Sequence, residues 1–394
     1  MQKAPTMPER WRHLAAYGGT PSSPRPIPIA QVMLEEADID AVVQVLRSGQ
    51  LRAGRICQTF EEAFAAQVGA RYAVSVSSGT AALHIAYAAT LEPGDEVLVP
   101  AFTFFATASM ISAVGARPIF CDVHPETFTL DVEDARRRIT PRTRAIVPVH
   151  LFGNPADVAA VQALAEEHNL VVIWDAAQAH GARYQGQDVG GLDHLVCYSF
   201  YPTKHMTTGE GGMITTNDPH LYERCRLLRD HGQHRRYEHV LLGYNYRLTD
   251  VMAALGLRQL KRLPAWVRQR RQHARYLIQA FRSLPGLHVQ REQPGGESSF
   301  NLLTVALDLS RFTHGRDTFV ELLRAENIGV GVHYPRPLHW QPVYRKSYGH
   351  VRLPVAEALS QRVFSLPVHP ALTQEDLAAI VRGVRKVVEA LIQG

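Results

Sequence analysis

The chain of 394 residues is 46% hydrophobic and 20% charged, a globular composition too long for one ordinary core, so two domains are predicted. Its net charge of +5 is mild, and its arginines and histidines are spread rather than massed, which argues against a nucleic-acid footprint. Cys57, Cys121, Cys197 and Cys225 lie far apart with no C-x-x-C pair, so neither a disulfide frame nor a cysteine zinc site is expected.

Residues 1–30, "MQKAPTMPERWRHLAAYGGTPSSPRPIPIA", carry prolines and a Gly-Gly pair but no apolar signal segment, and read as an extended arm lying across another surface. No apolar run approaches the ~18 residues that a bilayer crossing needs, so no membrane partner is expected and the cytoplasm is the expected compartment. "LEEADIDAVVQVLRSG" predicts a helix with acidic residues in its first turn, an apolar stripe of Ile39, Val42, Val43 and Leu46, and a stop at Gly49. A repeated rhythm then sets in. The runs "RYAVSVS", "DEVLVPA", "RPIFCDV", "RAIVPVH" and "LVVIWDA" alternate with helix-length amphipathic segments, and "HLVCYSF" and "GGMITT" extend the series. Continuous apolar runs predict strands buried on both faces, and their alternation with helices predicts a mainly parallel sheet. Residues 31–263 are therefore assigned to a large domain, with a helical stretch from Asp218 to about residue 283 that Pro264 breaks. In "WVRQRRQHARYLIQAF" the apolar positions fit one helical stripe, which leaves the arginines on a solvated face. Residues 264–394 form a smaller α+β domain: a strand at "NLLTVALDL", a helix after His314 and a last helix from Glu375 to Leu391.

Ligands of open parallel sheets collect beyond the carboxyl ends of strands, and three features fall there. Ser77, Ser78, Gly79 and Thr80 come after "RYAVSV" and open a helix, a junction that suits an anion and equally an ordinary cap. Asp175 ends "LVVIW" and needs a cationic partner, whether a metal or a protonated ring nitrogen, unless it merely caps the next segment. Lys204 sits in "SFYPTKHMTTGEGGMITT", among glycines that let a flat ligand approach, in a chain that otherwise favours arginine. As a nucleophile it needs a lowered pKa; as a loop residue it is simply exposed. Anion cradle, acid and lysine together suit pyridoxal 5'-phosphate, with the phosphate in the cradle, the pyridine nitrogen on the aspartate and a Schiff base at the lysine. His231, His234 and His239 of "HGQHRRYEH" have metal-like spacing, but Arg235 and Arg236 would repel a cation, and no metal site is expected.

These motifs, with "PAFTFFATA", "VHLFGNPADV", "DAAQAHGA" and "GYNYRLTD" in the same order, make the chain resemble the DegT/DnrJ/EryC1/StrS aminotransferases from about residue 54 to residue 344. The resemblance implies the aspartate-aminotransferase-like α/β fold (fold type I) and a homodimer with shared active sites. It implies Lys204 as the Schiff-base lysine and proton shuttle, Asp175 on the pyridinium and Gln178 by the phenolic oxygen. Phe104 would stack on the ring. Gly79, Thr80 and Ser199 would hold the phosphate with the partner's Asn245, and Arg247 and His333 would face the substrate. His205 and Trp174, which depart from the common pattern, are expected to bear on substrate preference. The implied reaction moves an amino group from a small amino donor, glutamate first, to a keto sugar carried on a nucleotide. The alternatives are a keto-cyclitol or simpler ketone or aldehyde acceptor, or a regulatory member that holds the cofactor without turnover.

Overall fold

The computed structural model describes residues 9–393. The first helix, α1 (Glu36–Ser48), starts with a capping box between Glu35 and Asp38 and ends at Gly49 in the left-handed region. Its buried face differs from the expected stripe. Asp38 and Val45 are buried, whereas Ile39 and Leu46 are exposed. Charge decides this: Asp38 accepts from the Glu35 amide at 3.0 Å and pairs with Arg262, which turns the apolar stripe outward.

After α2 (Arg55–Val68), strands and helices alternate as the sequence pattern predicts. The strands β1 (Tyr72–Val76), β2 (Glu96–Pro100), β3 (Arg117–Cys121), β4 (Thr143–Ile146) and β5 (Val171–Asp175) are followed by a hairpin of β6 (Arg183–Tyr184) and β7 (Gln187–Asp188). The strands β8 (Leu195–Ser199) and β9 (Gly212–Thr216) complete a seven-stranded sheet in the order β1-β9-β8-β5-β4-β2-β3. All its strands run parallel except β9, which is antiparallel to both β1 and β8.

Both faces are covered. Val97 and Val99 point to one side with α3 (Gly79–Thr90) and α4 (Phe105–Ala113). Leu98 points to the other, where Phe60 and Phe64 of α2 pack. Fully burying one such side chain contributes about 1.5–3 kcal/mol, so the two layers dominate the stability of this half. The short α5 (Val132–Arg137), α6 (Val158–His168) and α7 (Pro219–Arg229) complete the helical layers.

The long helix α8 (Asp250–Phe281) corrects one expectation, because it passes through Pro264 without a break. Proline removes one backbone donor and costs roughly 3 kcal/mol in a helix interior. Leu260, Leu263, Trp266 and Val267, all buried around it, outweigh that cost. Beyond α8, an antiparallel sheet of Leu287–Val289, Leu303–Leu307 and Val363–Leu366 packs with helices Arg316–Ala325 and Gln374–Leu391 around a third core.

The described part of the N-terminal arm is docked on this third core. Leu14 and Ile27 are buried in it, Trp11 Nε1 donates to Ala390 O at 3.0 Å, and Glu326 accepts from the amides of Ala15 and Ser22 at 2.8 Å each. The arm's end then reaches Ile29 and Ala30, which border a cavity at the carboxyl edge of the large sheet. All four cysteines are free and buried. No helix among the described residues is long and apolar enough to cross a membrane.

Candidate active site

The cavity has a volume of about 540 Å³ and opens where β1, β5 and β8 end. At the end of β1, Ser78 caps α3 by accepting from the Ala81 amide at 3.0 Å. The amides of Gly79 and Thr80, the first of α3, meet no protein acceptor among the described residues. Those free N–H groups and the positive end of the helix dipole make an anion cradle. Glycine is required at 79 because a Cβ there would stand 2.6 Å from Ser199 Cβ, across from the end of β8.

At the end of β5, Asp175 is buried. Its Oδ2 accepts from Thr107 Oγ1 at 2.8 Å and its Oδ1 from the Ala177 amide at 3.1 Å. Burial raises its pKa, and these two hydrogen bonds and the charge of Lys204 oppose the rise. A cation facing such a carboxylate would favour its charged form. Gln178 is fixed in both senses: its Oε1 accepts from the Phe152 amide at 2.8 Å and its Nε2 donates to Tyr334 Oη at 3.1 Å.

Lys204 comes after β8 on the turn toward β9 and is half-buried on the cavity wall. Desolvation lowers its pKa from 10.5 to about 8, while Asp175 works against the fall. A usable fraction of free amine therefore exists near neutral pH. His333 also borders the cavity, and burial first and Lys204 second lower its pKa to about 4, so its ring is neutral.

The cavity thus gathers Gly79, Thr80, Phe104, Asp175, Gln178, Ser199, Lys204 and His333. Asn245 and Arg247 stand outside it. Asn245 is exposed, and Arg247 is paired with Asp230. Trp174 and His205 do not border it either. Trp174 points to the opposite face of β5, where it is stacked 5.4 Å from His150, and His205 turns away to bond Ser299 O at 3.1 Å. A direct effect of either on substrate choice is therefore not what this geometry supports. Sequence reasoning missed Thr107, Tyr334 and Asn301. A hydroxyl one turn beyond Thr103 was the available signal for Thr107; Tyr334 was passed over beside His333, and Asn301 entered only as the start of a predicted strand.

Similarity to known proteins agrees with this arrangement. The profile of the DegT/DnrJ/EryC1/StrS aminotransferase family matches residues 32–385. The chain belongs to this family. It is accordingly a transaminase. A "pleiotropic regulatory protein" of Geobacillus stearothermophilus is 40% identical over 346 residues, 86% of this chain and 91% of the relative. A dTDP-3-amino-3,4,6-trideoxy-alpha-D-glucose transaminase of Streptomyces venezuelae is 38% identical over 90% of this chain and 92% of its own. Among solved structures, DesV of S. venezuelae in complex with a ketimine intermediate superposes with a TM-score of 0.87 at 36% identity, covering 92% of this chain and 99% of that one. The large sheet, covered by helices on both faces, with its smaller α+β partner is the aspartate-aminotransferase-like fold type I that this family member was expected to have.

Proposed function

We propose that this DegT-family member binds pyridoxal 5'-phosphate in the cavity and moves an amino group from an amino acid, glutamate first, to a keto sugar carried on a nucleotide. The observation that carries the reading is the convergence of three chemistries on one wall: free amides at Gly79 and Thr80, a buried carboxylate at Asp175 and an amine of lowered pKa at Lys204. Each fits one part of the cofactor. The amides with Ser199 suit its phosphate, Asp175 its protonated ring nitrogen, and Gln178 its phenolic oxygen. Phe104, exposed at the cavity mouth, suits a ring face.

The bound cofactor supplies a carbonyl carbon that exchanges amines and a ring that accepts electrons. Lys204 Nζ would be the amine that holds the cofactor, and when free it would take the proton from the donor's α-carbon and give it back later in the transfer. The hydrogen bonds from Thr107 and the Ala177 amide favour the charged form of Asp175 against its burial and would orient it toward the protonated ring nitrogen. Similarity to a dTDP-sugar transaminase supports a nucleotide-linked acceptor.

We also assign a homodimer. Tyr237, Val240 and Leu242 on the segment leading to Asn245, and Ile39, Leu46 and Leu51 near α1, are all exposed apolar side chains that a second copy would cover. The partner's Asn245 would then complete the phosphate site. The cytoplasm is the compartment this reading implies.

The deciding experiment is a visible spectrum. Wild-type protein incubated with pyridoxal phosphate and then freed of the unbound aldehyde should keep a visible band that Lys204→Ala lacks, and glutamate should bleach it. No band in the wild type would remove the cofactor assignment. A band that glutamate leaves unchanged but another amino acid bleaches would overturn glutamate as the donor.

A further inference from the structure

The residues on either side of Lys204 are both tied to one segment far along the chain. Asn301 Nδ2 donates to Thr203 O at 3.2 Å, and His205 Nε2 donates to Ser299 O at 3.1 Å. A carbonyl only accepts, which fixes the proton of His205 on Nε2. The segment Ser299–Asn301 is itself held from two further directions. The amides of Ser299 and Asn301 donate to Gly153 O at 2.9 Å and Phe152 O at 2.8 Å. From α8, Arg270 NH1 donates to Phe300 O at 3.3 Å and Asn301 O at 3.1 Å.

Two features mark this contact as costly. Arg270 is 4% exposed, and carbonyl oxygens rather than a carboxylate meet its charge among the described residues. Burial of such a charge carries a penalty of several kcal/mol before its hydrogen bonds offset it. Phe300, at the centre, has φ of +49°, a backbone region that side chains other than glycine seldom occupy. The same segment reaches Gln178 as well, because the Phe152 amide donates to Gln178 Oε1.

We infer that Asn301, His205 and Arg270 are positioning residues that clamp the backbone on both sides of Lys204 and so fix how far Nζ extends into the cavity. Arg270 holds the strap, Asn301 and His205 are its two fastenings, and Gln178 is set from the same frame. The inference rests on the reading of Lys204 as the reactive amine. Its physical basis is that a reactive group displaced by about 1 Å loses on the order of a hundredfold in rate.

The test uses the full chain with Asn301→Ala, His205→Leu, His205→Gln and Arg270→Lys. In cofactor-free protein, hydrogen exchange of the amides at 203–208 should rise about tenfold or more in Asn301→Ala and His205→Leu, with the rest of the chain unchanged. His205→Gln keeps an N–H at similar reach and should stay near wild type. Arg270→Lys, whose shorter side chain does not bring its ammonium to the place of the guanidinium nitrogen that bonds both carbonyls, should loosen 299–302 and 203–208 together. In the loaded enzyme, kcat of Asn301→Ala should fall roughly ten- to a hundredfold with little change in donor KM. Exchange at 203–208 that stays at the wild-type level, or that rises evenly along the chain, would overturn the clamp. If the protein takes up no cofactor, the Lys204 reading falls while the exchange measurement still decides the clamp.

Discussion

Lys204 titrates under two opposed influences, and the sign of the result is testable. Burial disfavours its charged form and brings the pKa to about 8, despite the pull of Asp175. Below that value the amine is protonated and inert; above it the amine is free. The rate at which cofactor-free protein captures an aldehyde should therefore climb with pH up to about 8 and then level off, with Lys204→Ala flat throughout. A rate still climbing beyond pH 10, as for an exposed lysine, would contradict the burial. The two residues proposed as the reactive pair stood out in the sequence because each is the wrong type for its surroundings. Asp175 ends an apolar strand, and Lys204 interrupts a run of small and hydroxyl residues. Thr107 was harder to single out, since Thr103, Ser109 and Ser112 are hydroxyls in the same stretch and its spacing from Thr103 gains meaning only once its bond to Asp175 is seen.

Among the elements, the alternating strands and helices were readable from their apolar runs, while the outer helices were harder. In α1 the apolar count pointed one way, yet the pairing of Asp38 with Arg262, distant in sequence, decided which face is buried. In α8 the proline signal lost to packing that no local window contains. Gly256 of α8 shows the same competition in a measurable form. Replacing it with alanine gains about 1 kcal/mol of helix propensity. The new Cβ, however, would stand 2.7 Å from the ring of Phe60, which is fully buried between α2 and α8 and has no free end to swing aside. Overpacking of this kind costs roughly 1–3 kcal/mol, so Gly256→Ala should lower the melting temperature by a few degrees. A melting temperature raised by the substitution would show that α2 yields readily.

For the whole molecule, the exposed apolar side chains matter more than any one contact. Leu242 is 96% exposed in the single chain, an unusual state for leucine on a segment with two other exposed apolar residues nearby. With a second copy seated there, Leu242→Asp should shift the protein from dimer to monomer in analytical ultracentrifugation and weaken its hold on the cofactor, since the partner's Asn245 is lost as well. A dimer that persists in Leu242→Asp would move the interface elsewhere. A homodimer was expected from the resemblance, but the apolar residues proposed for its contact were not, because an apolar residue on a surface and one in a core carry the same letter.

The place of β9 in the sheet has a consequence for how the protein is made. β1 leaves the ribosome early, yet its sole neighbour in the sheet is β9, which ends at Thr216. Throughout synthesis of the intervening residues, the segment destined to cradle an anion lies on an unpaired edge, and Gly79 has no fixed Ser199 to rest against. Pairing so distant in sequence is slow to form, because the loop must close before any contact rewards it. Nascent chains that stop short of β9 should therefore be dependent on chaperones and unable to take up cofactor. On this view the insertion of one antiparallel strand would be the step that completes the proposed binding edge of the growing chain.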